Sequence, residues 1–236
     1  MARSQSAYVG LQAMLTPDNC ALILIDHQPF QVSGVKNIDA ALLINNVVAL
    51  AKGAKAFNVP TLLTSVVQDR GGYIIKPLLD VFPDQTPIDR TAINTWEDAN
   101  CVKWVENTGR RKIVIAALWT EICLAFPVIH ALGEGYEVFF VTDASGGTTV
   151  EAHEMGIQRM IQAGAIPITS VVFAAELQRD WAREETAAKY AEIVLEHGGA
   201  IATNLAWEQQ LLATHSKDGA NSEKQAAEQD LVLAAP

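Results

Sequence analysis

Cysteine is scarce in this 236-residue chain: there are 3, Cys20, Cys101 and Cys123, far apart and odd in number. That argues against a disulfide framework and against a CxxC-type zinc site, so each thiol has to be judged on its own surroundings. Basic charge is short as well. The 17 Lys+Arg against 27 Asp+Glu give a formal net charge of -10 with histidine neutral, which repels polyphosphate and argues against a nucleic-acid partner. No apolar run approaches the roughly 18 residues needed to span a bilayer, so no membrane segment is expected. The N-terminal MARSQSAYVGLQAML has one Arg and no sustained apolar stretch, unlike a signal peptide, and a cytoplasmic location is expected. The sequence also lacks a G-x-G-x-x-G after its first strand and a Walker lysine, so Asp143-Ala144-Ser145-Gly146-Gly147 reads as a turn with a structural Asp rather than a phosphate cradle.

Apolar side chains, by contrast, are plentiful: 50% of residues are hydrophobic and 19% charged, enough for one α/β domain with a large core. Short apolar runs at Cys20–Asp26, Thr61–Val66, Lys112–Leu118 and Glu137–Asp143 read as strands buried on both faces, with a sixth at Ile166–Val172 and a weak third near Pro87–Arg90. Between the first two, Leu43, Val47, Leu50, Ala54 and Phe57 recur at helical spacing over Asp39–Phe57. Further helices fit Asp98–Asn107, Glu121–Leu132, Val150–Gln162, Glu176–His197 and Leu205–Ala213. The alternation predicts a three-layer α/β/α fold, a doubly wound and mainly parallel six-stranded sheet of order 3-2-1-4-5-6. Residues 1-18 read as an N-terminal extension, 19-198 as the compact domain ending near Gly198–Gly199, and 199-236 as a C-terminal helix with a polar tail closing on LVLAAP.

Ligands of such sheets bind beyond the carboxyl ends of the strands, where strand order reverses. That rule selects Asp26-His27-Gln28 after the first strand and Trp119-Thr120-Glu121-Ile122-Cys123 after the fourth. If those strands are neighbours, Asp26 faces Cys123 and supplies a base for its thiol. Cys123 also falls at a strand-to-helix turn, where free N–H groups and the helix dipole favour a thiolate, and Pro127 loosens the backbone there. The competing reading is a buried apolar cysteine.

The stretches ALILIDHQ and IVIAALWTEICLAFPVIHALGEGYEVFFVTDAS, in matching order over about Asn19–Asp180, resemble the isochorismatase-like cysteine hydrolases. The resemblance implies a catalytic set of the strand-end Asp26, a cation and Cys123, with a non-proline cis peptide at Leu118–Trp119 and an oxyanion hole from the N–H groups of Trp119 and Cys123. The family's Lys has no counterpart in PIDRTAINTWED. The nearest cation is Arg90, which resembles a branch with Arg-x-x-x-N-x-W here and includes Asn94 and Trp96; Arg holds a fixed charge and cannot yield its proton. Gln28, Phe30, Asn94, Trp96 and Thr120, with Trp119, are expected around a partly aromatic pocket. Metal-binding relatives carry histidines after the second strand, but SVVQDRGGYIIKP has none, so no metal and no cofactor are expected; His27 reads as a hydrogen-bonded structural residue.

The implied activity is hydrolysis of a small amide or related C–N bond through a thioester on Cys123. The alternatives are vinyl-ether hydrolysis and a catalytically silent oligomeric binder of the same fold. The family is rich in homo-oligomers, and Trp207 and LVLAAP offer apolar surface, so a tetramer or octamer is expected.

Overall fold

Every side chain of Cys20–Ile25 (β1) and of Lys112–Ala117 (β4) is buried, as strands covered on both faces must be. In this computed structural model, which describes residues 9–214, they are the two central strands, in register Ile25 to Ala117. Outside β1 lie Thr61–Val66 (β2) and Ile88–Arg90 (β3); outside β4 lie Glu137–Val141 (β5) and Ile166–Ile168 (β6). The order is β3-β2-β1-β4-β5-β6, with all five pairs parallel, as predicted.

Alternate residues of these strands feed two separate cores. Leu22, Leu24, Val114 and Ala116 pack with Val47, Leu50 and Ala54 of Ala40–Ala56 (α2) and with Phe173 and Leu177 of Ser170–Gln178 (α8). Ile23, Ile25, Ile113 and Ile115 pack on the opposite face with Cys101 and Val105 of Ala99–Thr108 (α5), Val128 of Ala125–Gly133 (α6) and Met160 of Val150–Ala163 (α7). Four helix starts follow from side chains that accept first-turn N–H groups: Asp39 for α2, Asp98 for α5, Thr149 for α7 and Thr169 for α8. Short helices Pro29–Gly34 (α1), Gln68–Gly71 (α3) and Lys76–Leu79 (α4) follow β1 and β2. Below the sheet, the Lys112 ammonium donates to the carbonyls of Gln12 and Met14, anchoring the end of the N-terminal extension.

Two boundaries differ from the sequence reading. The sixth strand ends at Ile168, because Thr169 caps α8 by accepting from the Val172 N–H and the next residues wind into helix. The predicted helix Glu176–His197 is two helices, α8 and Glu184–His197 (α9). They part at Arg179, whose φ of 56° is left-handed, and Gln178 bonds the carbonyls of Asp180 and Arg183 in the gap.

The chain divides into a unit ending at Tyr190 and one beginning at Ala191, inside α9. In the second unit the pair Gly198–Gly199, the predicted boundary, interrupts the helix, and residues 200–214 are helical, with Trp207, Leu211 and Leu212 exposed. The LVLAAP segment lies outside the described residues. Among the described residues no helix is long and apolar enough to cross a membrane.

Candidate active site

β1 ends at the centre of the sheet, and Asp26 follows it directly. Its φ of 59° is left-handed, a conformation that Asp tolerates better than most residues. Its N–H still bonds to the Thr64 carbonyl at 2.9 Å, so the side chain leaves the strand direction while the backbone stays in the sheet.

Arg90 ends β3, two strands away, paired in register with Val66. Its Nη2 donates to Asp26 Oδ2 at 2.6 Å, and neither side chain is exposed. Nη1 donates to the carbonyls of Ala92 and Ile93, which fixes the plane of the guanidinium. Thus the cation that the sequence places opposite the Asp is there.

Cys123 lies in a π-turn, Thr120–Leu124, between β4 and α6. Pro127 accounts for the wide winding: its ring would clash with the Cys123 carbonyl in an α-helix and it offers no N–H to the preceding turn. The sulfur neighbours the Asp26 carboxyl and the Trp119 N–H, and both act on its ionisation. Asp26 Oδ1 is buried with no hydrogen-bond partner, which leaves it as the free acceptor beside the thiol. The peptide Leu118–Trp119 is cis, where the resemblance implies it.

Burial pushes Asp26 up to about 6, against the pull of Arg90 and of the Cys123 thiol. Burial, reinforced by the Asp26 charge, pushes Cys123 up to about 12; Arg90 and the Trp119 N–H only partly oppose it. This corrects the expectation of a thiolate favoured by the helix dipole. Desolvation is the largest influence on the thiol, with the Asp26 charge second. The resting pair at neutral pH is a thiol beside a carboxylate, with Arg90 neutralising the one negative charge.

The remaining predicted residues are split. Trp119 and Phe30 meet with ring centroids 6.1 Å apart, and the Trp119 indole donates to the Gln31 carbonyl, so these two line the α1 side of the site. Gln28 is fully buried and binds Val66 N–H and the Gly72 carbonyl, clamping the loop after β2 instead of facing a ligand. Thr120 bonds His153 of α7 at 2.8 Å, on the outer side of the π-turn. Asn94 caps the 3-10 turn Thr95–Glu97 and Trp96 is buried against Tyr136, its indole donating to Glu134; both join the Arg90 loop to α6. Cys20 and Cys101 are buried, and burial raises both thiols to about 12. His27 Nε2–H donates to the Ala144 carbonyl at 2.9 Å, and burial lowers the imidazole to about 4, so it is neutral. Asp143 accepts from Ser170 N–H and Oγ, a structural turn Asp as read from the sequence. Among the described residues no group of three or more His, Cys, Asp or Glu could hold a metal ion.

Sequence reasoning missed the support behind the π-turn. Glu121 Oε1 accepts from Thr148 N–H and Oγ1, at 3.1 and 2.6 Å, and Gly156 lets α7 approach so closely that a Cβ there would lie 3.1 Å from Glu121 Cα. The available signal was one acid inside the otherwise apolar run IVIAALWTEICLAF.

The Isochorismatase domain model matches residues 20–171. The chain is 40% identical to the probable hydrolase YcaC of Escherichia coli (strain K12), over 71% of this chain and 81% of that protein. The structure of YcaC from Pseudomonas aeruginosa with hexane-2,5-diol and covalent acrylamide superposes with a TM-score of 0.79 at 34% identity, covering 83% of this chain and 97% of that one. The Escherichia coli YcaC structure, described as an octameric hydrolase of unknown specificity, also gives 0.79, at 36% identity over 84% and 97%.

Proposed function

This chain belongs to the isochorismatase family, and from that premise we propose that it hydrolyses a small amide or related C–N bond, with Cys123 as nucleophile, Asp26 as proton carrier and Arg90 as the fixed charge holding them together. The observation that carries this reading is the shared carboxylate: Asp26 gives one oxygen to Arg90 at 2.6 Å, while its other oxygen, free of hydrogen bonds, is the acceptor beside the Cys123 thiol. A base in contact with its nucleophile is the arrangement that covalent catalysis requires.

In the proposed reaction the Asp26 carboxylate takes the thiol proton as sulfur adds to the substrate carbonyl, so free thiolate never accumulates. The N–H groups of Trp119 and Cys123 hold the oxyanion. Asp26 returns the proton to the departing nitrogen, the C–N bond breaks and a thioester remains. Water then gives a proton to Asp26 and its oxygen adds to the thioester; the C–S bond breaks and sulfur recovers the proton, leaving a carboxylic acid and an amine or ammonia. Arg90 moves no proton. It keeps Asp26 ionised in a site that burial would otherwise make acidic only with difficulty.

The covalent acrylamide in the Pseudomonas aeruginosa relative supports the reading, since acrylamide is an electrophile that adds to thiols. For this chain we assign such an adduct to Cys123. Homo-oligomeric assembly is proposed on the octameric relative. The protonated Cys123 favours a second reading, a silent binder, and one assay separates the two: purified protein incubated with a panel of small amides, read by ammonia release. Turnover lost by at least about 10²-fold in both Cys123→Ala and Asp26→Asn supports the hydrolase; release unchanged in either variant, or absent across the panel, removes it.

A further inference from the structure

Beside the thiol site, α6 contacts the 3-10 turn Thr95–Glu97 on one side and α7 on the other. It thereby forms the floor of an open cleft of about 540 Å³, within the size range of small-molecule sites. Phe126 and Ile129 supply the apolar floor, Arg159 of α7 stands on one wall, and Asn94 and Glu97 stand on the other.

The two walls differ in charge. The Arg159 guanidinium lies 5.8 Å from the Phe126 ring centroid, and the ion pairs among the described residues do not include it. A guanidinium above a ring at this distance still presents its N–H edge, the fork that fits a carboxylate with two parallel hydrogen bonds. Across the floor, Asn94 is fixed: Oδ1 accepts from Trp96 N–H, and Nδ2 faces Glu97 Oε1 at 3.1 Å and His130 Nδ1 at 3.2 Å. With Nδ1 accepting from Asn94, His130 keeps its proton on Nε2, 3.6 Å from Glu134. The Glu97 carboxylate therefore remains an acceptor on that wall.

We propose that this cleft binds a small planar carboxylate bearing a hydrogen-bond donor at its far end. The acid pairs with Arg159, the flat body lies over Phe126 and Ile129, and the donor reaches Glu97. The cleft adjoins the catalytic centre through the chain itself, since Arg90 bonds the carbonyls of Ala92 and Ile93 just before Asn94, and Phe126 follows Cys123 by three residues. Binding needs no turnover, so the inference stands whether or not the thiol chemistry does.

The test is calorimetric titration of the whole protein and of its Cys123→Ser variant with para-aminobenzoate, benzoate and para-aminobenzamide. Para-aminobenzoate is expected to bind both proteins equally. Replacing its carboxylate by the amide weakens binding about tenfold, the scale of one charge-assisted hydrogen bond. Arg159→Met weakens para-aminobenzoate by the same factor and abolishes the acid-over-amide preference; Arg159→Lys restores part of it. Glu97→Ala abolishes the preference for para-aminobenzoate over benzoate. Arg159 and Glu97 are exposed, so these variants fold. Undetectable binding, equal affinity in Arg159→Met, or binding lost in Cys123→Ser overturns the proposal.

Discussion

Asp26 and Arg90 form an ion pair of 2.6 Å in which neither side chain reaches solvent. One strand, β2, separates them in the sheet, and the pair closes over its end. Removing one member of such a pair strands an uncompensated charge, which typically costs about 3–5 kcal/mol. Arg90→Met is expected to lose stability on that scale in urea unfolding, and Arg90→Lys to lose less. An Arg90→Met midpoint equal to wild type would place the pair outside the folded protein in solution.

With Asp26 at about 6 and Cys123 at about 12, reactivity depends on the base. The rate of Cys123 alkylation by acrylamide is expected to rise with pH through about 6 and then level off, since the carboxylate must be ionised to receive the thiol proton. Cys20 and Cys101, 0% and 2% exposed against 7% for Cys123, should remain unlabelled in the native protein. Peptide mapping across the pH range reads all three. A Cys123 rate that climbs continuously to alkaline pH in wild type, as a free thiol's does, contradicts the shared-proton arrangement. Asp26→Asn should show only that alkaline climb.

Much of this site was legible in the sequence because the rule for open parallel sheets depends on strand order alone: apolar runs identified β1 and β4, and the residues after them became neighbours once the order was 3-2-1-4-5-6. Arg90 needed the family resemblance, because nothing in a three-residue edge strand announces which way its last side chain turns. The protonation of Cys123 was misread for a physical reason. The dipole argument can be made from sequence, whereas the desolvation that raises the thiol depends on how tightly α6 covers the sulfur. The break at Arg179 was hidden because apolar periodicity continues across it, and the π-turn because its only trace is Pro127.

Two buried groups should pull stability in opposite directions below neutrality. His27, lowered to about 4 from 6.5, is neutral in the fold but takes a proton when unfolded; its contribution is present above 6.5 and is lost as pH falls toward 4. Asp26, raised to about 6 from 3.8, binds a proton in the fold first, so acidification over 6 to 3.8 favours the folded state. Each effect is about 3 kcal/mol at most, and wild type should show a shallow slope across this window. His27→Gln should become more stable on acidification from 6 to 4, and Asp26→Asn less stable. Urea midpoints at a few pH values decide it, and equal slopes in the two variants would refute the assignment.

The last prediction concerns Gly156, where helix propensity and packing disagree. In the interior of α7, Gly→Ala ordinarily stabilises by about 1 kcal/mol. Here the new Cβ would lie 3.1 Å from Glu121 Cα, and 3.3 Å from both Glu121 N and Thr120 Cγ2. Those atoms belong to the π-turn, which cannot retreat easily: Thr120 N–H bonds the Gly146 carbonyl at 2.9 Å, Thr120 Oγ1 bonds His153, and Glu121 holds Thr148. Overpacking of this kind costs about 1–3 kcal/mol, so the steric loss should equal or exceed the propensity gain. Because Cys123 rides on the same turn, Gly156→Ala should also slow acrylamide alkylation at Cys123 while leaving its dependence on pH near 6 unchanged, since Asp26 and Arg90 are untouched. Thermal melts and alkylation rates on the variant check both arms. A higher melting temperature with an unchanged Cys123 rate would show that α7 moves away freely and that Gly156 does not set the position of the thiol.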